Sequence, residues 1–327
     1  MPQKVILDLD PGIDDAIALC LALYNPDVEV VGITSVAGKV PSWLSARNLQ
    51  ALIEFLDPPK LPRIGFGDDP EGTAPVIESP WFGPDGLGGL PLPTAARCKS
   101  APAEKVISDL IHLYPNEISI MAMGPLTNIA RAFQRDKEIP LLVNRLFMVG
   151  GTWDKCGNVL PCSEFNMYCD AKSAQYVFRS PCTKTLVPLD VTTQVKFPLD
   201  VFQRLPSIKS RFGQFLHELF RAAFHYYRYE FGREQIFLHE PVAWFTLVAP
   251  DLFEMQDAAG DVESTGVLTQ GMTVFDRRPL ATWQENMEVA TVISPIEVYE
   301  HICNDLTAAA DCVSDDGPQL PQQPAKK

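Results

Sequence analysis

The sequence predicts an α/β protein whose core is an open, mostly parallel, Rossmann-like sheet with helices on both faces. Strand-like apolar runs alternate with helix-like runs through most of the chain, which is the pattern of parallel βαβ units. The 327 residues, 46% of them hydrophobic and 21% charged, are enough to bury a sizeable core. No linker-like segment divides the chain, so we predict a single domain over residues 1–312 and a flexible polar tail over residues 313–327.

The predicted elements follow one another in a regular order. Short apolar runs, several of them rich in β-branched residues, predict strands at residues 5–10, 28–34, 61–65, 118–123, 145–149 and 185–189. Helical patterns occupy residues 16–24, 49–55, 101–114, 125–134 and 171–178. Later come a long amphipathic stretch, a short helix, two strand-like runs and a final helix, at residues 207–231, 242–248, 266–275, 289–294 and 295–306. Segment 65–93 is rich in glycine and proline, which is typical of a lid or a pocket wall.

The composition excludes several classes of function. Lys and Arg number 27 against 41 Asp and Glu, a formal net charge of -14, whereas a nucleic-acid binder needs clustered basic residues. No stretch approaches the roughly 20 apolar residues of a membrane span, and the acids in the first strand-like run argue against a signal peptide. The eight cysteines form no CxxC pair, which is typical of reduced thiols. We therefore expect a cytoplasmic protein with no nucleic-acid or membrane partner.

Four acidic residues surround the first predicted junction of strand and helix, in the sequence DLDPGIDD. Asp8 and Asp10 should project to the same side of the strand, and Asp14 and Asp15 begin the next helix, at the strand end where open α/β sheets bind ligands. Like charges about 4 Å apart repel by about 4 kcal/mol at an effective dielectric of ~20. Helix capping accounts for one of the last two acids, but not for acids in an apolar strand. The cluster therefore predicts either a protonated acid or a bound hard cation such as calcium or magnesium.

Four ordered motifs carry a resemblance to a known family. They are ILDLDPGIDDAIAL at residues 6–19, MGPLTNIA at 123–130, the GG…GN…EFN…D block at 150–170, and LDVT at 189–192. With them the sequence resembles the nucleoside hydrolases, calcium-dependent N-ribohydrolases of the inosine–uridine-preferring type, whose first motif is DxDPGxDDA. The resemblance spans residue 5 to about residue 250. It implies a nucleoside hydrolase-like fold and hydrolysis of the N-glycosidic bond of ribonucleosides to free base and ribose.

The resemblance implies a Ca2+ site in the acidic cluster. Its ligands would be Asp10, Asp15, the backbone carbonyl of Met123, and Glu240, with ribose hydroxyls and one water completing the shell. Calcium acidifies its bound water far less than zinc does, so a base is still required. Asp10 is the predicted base, and its alternative role is that of a pure metal ligand.

The resemblance also assigns the substrate contacts. Asp14, Asn158, Glu164 and Asn166 would bind the ribose, because carboxylates and amides suit vicinal hydroxyls. The acids would also stabilise the positive charge that builds on the sugar. His239 would act as a general acid on the leaving base, and the alternative is a structural histidine. The expected partner is a small-molecule nucleoside, and the expected assembly is a homodimer or homotetramer.

Three positions depart from the family pattern. Glu240 stands where the family usually has Asp, and Lys39 stands where it commonly has an Asn that contacts the sugar. A cation beside calcium weakens metal binding unless an acid or an anionic substrate meets its charge. The stretch Trp81-Phe82-Gly83 lacks the His-Gly often found there, so Phe82 is predicted to stack on the base. With Lys39 and Phe82 as candidate substrate contacts, the changes are compatible with altered base preference, a modified or charged riboside, or loss of turnover.

Two other functions stay open. One is a calcium- and ribose-binding homologue without turnover, which binding measurements made beside base release would distinguish. The other is a haloacid-dehalogenase-type phosphatase, because DLDPG is similar to the DxD start of that family. The immediate Asp-Asp pair is unusual for those phosphatases, and their later Lys and acidic motifs cannot be placed in this sequence. The metal-ligand set is chemically intact, so the sequence favours catalysis.

Overall fold

The computed structural model of the chain describes residues 2–70, 83–92, 101–317 and 320. Nine of its strands form one central sheet, and the pairs β8–β9 and β11–β12 form two small sheets. In chain order the strands are β1 (Gln3–Leu9), β2 (Val28–Ser35), β3 (Arg63–Phe66), β4 (Ala101–Pro102), β5 (Ile118–Ala122), β6 (Arg145–Val149), β7 (Lys184–Val187), β8 (Phe197–Pro198), β9 (Gln235–Ile236), β10 (Phe253–Ala258), β11 (Gly260–Val262), β12 (Thr273–Phe275) and β13 (Met287–Ile293).

The α-helices of the described residues cover both faces of the sheet. They are α1 (Ile13–Leu23), α2 (Ser42–Leu56), α3 (Ala103–Leu113), α4 (Thr127–Arg135), α5 (Ile139–Leu142), α6 (Phe165–Cys169), α7 (Ala171–Phe178), α8 (Leu189–Thr192), α9 (Arg211–Phe231), α10 (His239–Val248) and α11 (Pro295–Cys312). Strand β1 contributes to two hydrophobic cores: Val5 and Leu7 pack with α1, α9 and α10, whereas Ile6 packs with α3 and α4. Within the described ranges, no helix is long and apolar enough to cross a membrane.

The strand order places the carboxyl ends of β1 and β5 at a crevice. The order is β10-β13-β7-β6-β5-β1-β2-β3-β4, and the edge pair β10–β13 is antiparallel while the other pairs of this sheet are parallel. The chain runs outward from β1 to β4 and then returns to β5 on the other side of β1. Such a topological switch point is where open α/β sheets bind ligands. The predicted α/β architecture is confirmed.

Most predicted elements are present, with shifted ends. Strand β6 and helix α7 have the predicted bounds, and α2 begins at Ser42, earlier than predicted. The predicted strand over residues 266–275 is wrong except for Thr273–Phe275, because residues 267–271 form a turn. Helices α5, α6 and α8 were not predicted, since runs of four or five residues are too short to show a helical period.

The predicted polar tail begins where the last helix ends, at Cys312. Its first residues contact the body of the protein. The backbone N–H of Arg211 donates to Asp315 Oδ1 at 2.8 Å, and Arg211 Nε donates to the carbonyl of Ser314 at 2.9 Å. Residues 318, 319 and 321–327 lie outside the described part of the chain.

Candidate active site

Three acidic side chains converge on one lysine at the crevice. Lys39 Nζ lies 3.2 Å from Asp10 Oδ1, 2.8 Å from Asp15 Oδ2 and 3.3 Å from Glu240 Oε1. The three carboxylates are buried, and the lysine side chain is 9% exposed. An ammonium group has three N–H donors, so the three carboxylates use all of them. The acidic floor, as we call it, consists of five residues: Asp10, Asp14, Asp15, Glu240 and Lys39.

The acidic floor is assembled from four separate segments. Asp10 follows β1, Asp15 lies in the first turn of α1, Lys39 lies in the loop between β2 and α2, and Glu240 is the second residue of α10. The backbone N–H of Lys39 also donates to Asp10 Oδ2 at 2.8 Å. The lysine side chain passes Gly12, where a Cβ atom would lie only 2.8 Å from Lys39 Cδ. Glycine at this position therefore makes room for the lysine.

Asp14 joins the floor to the start of α10. Its Oδ2 accepts a hydrogen bond from the backbone N–H of His239 at 3.0 Å, and its carboxyl group lies within hydrogen-bonding reach of Glu240. A bond between two carboxyl groups requires a proton, because carboxylates are acceptors only. With both groups ionised, Asp14 Oδ1 and Glu240 Oε2 have no partner. We therefore infer that the pair shares one proton.

Burial and the lysine control the charges of the floor. Burial raises the pKa of the carboxyl groups of Asp10, Asp14 and Asp15, and Lys39 only partly opposes this. Burial also acts to raise the pKa of Glu240, but Lys39 outweighs it and the pKa is lowered. Burial alone would lower the pKa of Lys39, whereas the surrounding carboxylates raise it well above its ordinary value. The lysine is therefore a charged ammonium group near neutral pH.

Asp8, the first acid of the motif, has different partners from Asp10. Its Oδ1 accepts hydrogen bonds from Thr34 Oγ1 at 2.5 Å and from Asn128 Nδ2 at 2.8 Å. Burial raises the pKa of Asp8 to about 7, although both bonds lower it. Strand β1 ends at Leu9, so the strand alternation does not extend to Asp10. Asp8 connects β1 to β2 and α4.

Glu164 lies against a pair of glycines. Its Oε2 accepts hydrogen bonds from the backbone N–H groups of Gly151 at 2.9 Å and Met167 at 3.2 Å. Gly150 has a φ of +132°, and a Cβ there would lie 2.5 Å from the same oxygen, so glycine is required. Burial raises the pKa of Glu164 to about 7, although the backbone N–H groups oppose it. Its carboxyl group therefore changes charge near neutral pH.

The two predicted amide contacts also hold the backbone. Asn166 Nδ2 donates to the carbonyls of Met123 at 2.9 Å and Val149 at 3.0 Å, which links the carboxyl ends of β5 and β6. Asn158 Oδ1 accepts from the backbone N–H of Phe165 at 2.9 Å. These bonds leave the oxygen of Asn166 and the nitrogen of Asn158 for a ligand.

The predicted calcium ligands do not fit a divalent ion in this arrangement. Lys39 Nζ lies among Asp10, Asp15 and Glu240, where the ion would have to bind. Among the described residues, no group of three or more His, Cys, Asp and Glu side chains is arranged to hold a metal ion. A divalent ion about 4 Å from the ammonium group would be repelled by about 8 kcal/mol, twice the value for two unit charges at an effective dielectric of ~20. Calcium and the ammonium group therefore cannot occupy the floor together.

His239 begins α10 beside the floor. Its Nδ1 lies 2.8 Å from Thr192 Oγ1, and its ring stacks on Phe237 with centroids 6.4 Å apart. Burial lowers the pKa of His239, although Glu240 opposes this, so the imidazole is neutral near pH 7. If the Thr192 hydroxyl donates to Nδ1, the single ring proton lies on Nε2.

A cavity of about 570 Å³ opens above the floor, within the usual size range of small-molecule sites. Its polar lining includes acids, amides and the lysine: Asp14, Lys39, Asn158, Glu164, Asn166 and Glu240. A second group of lining residues forms what we call the aromatic wall: Tyr226, Tyr227, Phe231, Arg233 and Phe237. One cavity thus combines acids and amides, which suit a polyol, with aromatic residues, which suit a planar ring.

Three predicted site residues in the described part of the chain, Asp10, Asp15 and Met123, do not line this cavity. Asp10 and Asp15 are fully buried, and Lys39 covers them. Both oxygens of Asp10 accept from Lys39, one from the backbone N–H and one from the ammonium group. The role of Asp10 as the base therefore stays a prediction, with both of its oxygens in contact with Lys39 in this arrangement. Phe82 lies outside the described residues.

Comparison with known proteins identifies the family. The chain matches the family model described as inosine-uridine preferring nucleoside hydrolase over residues 5–300. It belongs to this family. Uridine nucleosidase 1 of Arabidopsis thaliana is 33% identical over 277 residues, 84% of this chain and 82% of that protein. The non-specific ribonucleoside hydrolase RihC of Salmonella agona is 34% identical over 298 residues, 88% of this chain and 92% of that protein.

A solved structure shares the fold of this nucleoside hydrolase. The purine-preferring ribonucleoside hydrolase of Gardnerella vaginalis superposes with a TM-score of 0.88 at 26% identity, covering 95% of this chain and all of that one. The predicted family, the predicted fold and the predicted hydrolysis of ribonucleosides are confirmed.

Sequence reasoning missed the aromatic wall of this nucleoside hydrolase. Its residues fall in one continuous run, 226–237 (YYRYEFGREQIF), which carries no family motif. The density of aromatic residues in this run was the available signal. In an amphipathic helix, however, such a pattern usually indicates core packing.

The LDVT motif of the nucleoside hydrolase organises two parts of the cavity. Asp190 accepts hydrogen bonds from the backbone N–H groups of Trp153, Asp154 and Lys155, at 2.6, 2.8 and 2.9 Å. These bonds hold the loop after β6. Thr192, in the same short helix, contacts His239. The motif was recognised in the sequence, but its contacts could not be derived there.

Proposed function

We propose that the active site of this nucleoside hydrolase is the cavity between the acidic floor and the aromatic wall. Ribose would lie on the floor and the base against the wall. The observation that supports this most directly is that one cavity is lined both by carboxylates and amides and by a group of aromatic rings. Carboxylates and amides suit vicinal hydroxyls, and aromatic faces suit planar bases, so the cavity matches the two halves of a nucleoside.

The proposed ribose contacts are Asp14, Asn158, Glu164 and Asn166. All four line the cavity. Breaking the N-glycosidic bond builds positive charge on the sugar, and a carboxylate fixed by backbone N–H groups stabilises such charge without reorganisation. Glu164 has this property, because Gly151 and Met167 hold its Oε2.

Hydrolysis needs an acceptor for the proton of water. A water oxygen bonds to the anomeric carbon while the C1′–N bond breaks, and the electron pair of that bond leaves with the base. We assign the proton to the Asp14–Glu240 pair, because both residues line the cavity and the pair, with one shared proton, still carries one negative charge. Asp10, whose oxygens contact Lys39, becomes an anchor for the lysine. No step in this scheme uses calcium, because the floor does not fit a divalent ion.

The leaving base carries away an electron pair and must be stabilised. His239 lines the cavity beside Phe237. A hydrogen bond from Nε2–H to the base would lower the energy of the developing anion. The base finally takes one proton, which balances the proton that the attacking water loses.

We propose that both purine and pyrimidine ribonucleosides are accepted. Stacking on aromatic faces does not distinguish between bases, because every base has a π face. The relatives support this range, since their names include a uridine nucleosidase, a non-specific ribonucleoside hydrolase and a purine-preferring one. A charged or modified riboside stays a possible substrate because Lys155 and Arg233 also line the cavity.

The experiment that tests the function is a ribonucleoside panel with detection of free base and free ribose. Release of both in equal amounts from inosine, uridine, adenosine or cytidine is the expected result. Nucleoside binding without release would favour the homologue without turnover. Release of phosphate from sugar phosphates, with no release of base, would favour the phosphatase.

We also propose a reducing, cytoplasmic location and a homodimeric or homotetrameric assembly. The seven cysteines in the described part of the chain are free thiols, which is typical of reducing compartments. The assembly is implied by the family resemblance. Size-exclusion chromatography with light scattering measures the assembly, and a monomer at micromolar concentration would contradict it.

A further inference from the structure

We propose that the Lys39 ammonium group takes the place of the divalent cation in this enzyme, so that the acidic floor is complete without metal. This inference deepens the proposed function and rests on it for its kinetic part. It is carried by the position of one side chain. Lys39 Nζ makes ion pairs with Asp10, Asp15 and Glu240, which are three of the four residues expected to bind calcium.

The spacing of the floor matches an ammonium group. The three N–O distances are 2.8, 3.2 and 3.3 Å, as in charge-assisted hydrogen bonds of ordinary or slightly long length. Calcium binds oxygen at roughly 2.3–2.6 Å with six to eight ligands, so the carboxylates would have to move inward around it. A glutamate side chain is longer than an aspartate side chain, and that of Glu240 reaches the ammonium group from the start of α10.

The lysine is held by its backbone as well as by its charge. Its N–H donates to Asp10 Oδ2, and a Cβ on the preceding Gly38 would lie only 2.2 Å from that same oxygen. The loop therefore lies directly on Asp10, and the side chain extends past Gly12 into the cluster. A cation attached in this way has a high effective concentration at the site, because its binding is intramolecular.

The replacement changes what the floor offers to the substrate. All three N–H donors of Lys39 are used by carboxylates, so the ammonium group has no donor left for ribose hydroxyls. It also brings one positive charge where calcium would bring two. The remaining negative charge of Asp14 and Glu240 faces the cavity, where it favours a positively charged sugar. Lys39 thus acts as a positioning residue that fixes the carboxylates.

The test is a calcium titration by isothermal calorimetry, combined with base release in calcium and in a chelator. We expect the wild-type protein to give no calcium-binding heat and to release base at rates within about twofold in both solutions. Lys39→Asn removes the ammonium group and should create a calcium site at least about 100-fold tighter than any in the wild type, because like-charge repulsion is removed. The double variant Lys39→Asn/Asp15→Asn should lose this site again.

Lys155→Asn is the matched control, because Lys155 also lines the cavity but its ammonium group contacts Thr193 and not the floor. The calorimetric calcium titration of this variant should give the same result as that of the wild type. Calcium binding by the wild type that Asp15→Asn abolishes, or base release that the chelator stops, would overturn the inference. Equal calcium affinity in Lys39→Asn and wild type would overturn it as well.

The two proposals can fail separately. If no riboside releases base under any condition, but only Lys39→Asn binds calcium, the proposed function fails and the replacement stands. If base is released only with calcium, the function stands and the replacement fails. Should Lys39→Asn not fold, as judged by circular dichroism, the wild-type titration and chelator assay decide alone.

Discussion

The aromatic wall and three residues of the acidic floor, Asp14, Lys39 and Glu240, line the same cavity, but the wall and the floor are built in different ways. The floor combines four segments that meet where β1 ends, and ion pairs fix its side chains. The wall comes from the end of α9 and the residues that follow it, and its rings contact one another at centroid distances of 5.5–5.9 Å. A buried polar group is costly when it loses its partner, whereas a single ring contact is worth only about 0.5–1.5 kcal/mol.

This difference separates the two tasks of the enzyme. The floor is buried and is the proposed ribose site, so changes there should lower kcat through lost charge stabilisation. Part of the wall is open to solvent, since Phe231 is 49% exposed, so changes there should alter KM and base preference. A floor variant that affects only KM, or a wall variant that abolishes turnover, would break the comparison.

The largest effect is expected from Glu240→Gln. This change removes a carboxylate that lines the cavity, contacts Lys39 and shares a proton with Asp14. We expect kcat to fall about 1000-fold, within the range for loss of a proton-transfer group, while the fold is retained. Initial rates of base release at saturating inosine and uridine measure the loss.

Asp10→Asn is the matched comparison within the floor. If Asp10 anchors Lys39, its amide oxygen can still accept from the lysine, and the loss should be about 10- to 100-fold, smaller than for a proton-transfer group. A larger loss than in Glu240→Gln would return Asp10 to the role of base that the family resemblance implies.

The second effect is expected from Glu164→Gln, which should lower kcat/KM by about 100-fold, as for loss of one preorganised charge stabiliser. Burial raises the pKa of Glu164 to about 7, so the active carboxylate forms as the pH rises through that value. The kcat/KM of the wild type should therefore rise between pH 6 and 8, roughly one unit on either side of this pKa. The variant should lack this rise, and a pH profile of both proteins checks it.

The stability of the wild type should change in the opposite direction with pH. A buried carboxyl group whose pKa is raised on folding contributes stability below its unfolded pKa, and this contribution is lost as the pH rises through the folded pKa. The stability of Glu164→Gln relative to the wild type should therefore improve from pH 5 to pH 8. Urea unfolding at the two pH values measures it, and an unchanged difference would mean that Glu164 does not titrate in this range.

The third effect concerns His239→Gln. Loss of the proposed hydrogen bond to the leaving base should lower kcat about 100-fold for inosine, near the lower limit for an acid–base group. A riboside with p-nitrophenolate as leaving group needs no such help and should lose less than about fivefold by the same reasoning. Equal losses on both substrates would show that His239 has a structural role.

The acidic floor could be predicted from the sequence in part, whereas the aromatic wall could not. The floor residues Asp10, Asp14 and Asp15 were predicted because the first motif marks them at the end of a predicted strand, whereas Glu240 was assigned only from the family resemblance. The position of the Lys39 ammonium group could not be predicted, because it depends on the space beside Gly12 and on the path of a loop. The wall carries no motif, since stacking requires only that some aromatic residue be present.

The smallest effect is expected from the wall, in Phe237→Ala. Phe237 lines the cavity, stacks on His239, and lies 5.9 Å from the ring of Tyr227. Loss of one aromatic contact, worth about 0.5–1.5 kcal/mol, should raise KM about 2- to 12-fold while kcat stays within about threefold, because the floor is unchanged. Tyr229→Ala is the control, since Tyr229 lies on α9 but is 74% exposed and does not line this cavity.

Measuring KM for ribonucleosides that carry different bases tests the role of the aromatic wall more directly. Purines present a larger face than pyrimidines, so Phe237→Ala should raise KM more for inosine than for uridine if the base stacks on this ring. The Tyr229→Ala control should leave the ratio of the two KM values unchanged. Equal increases for both substrates would mean that Phe237 acts through His239, whose ring it supports, and a fall in kcat without a change in KM would place it with the floor.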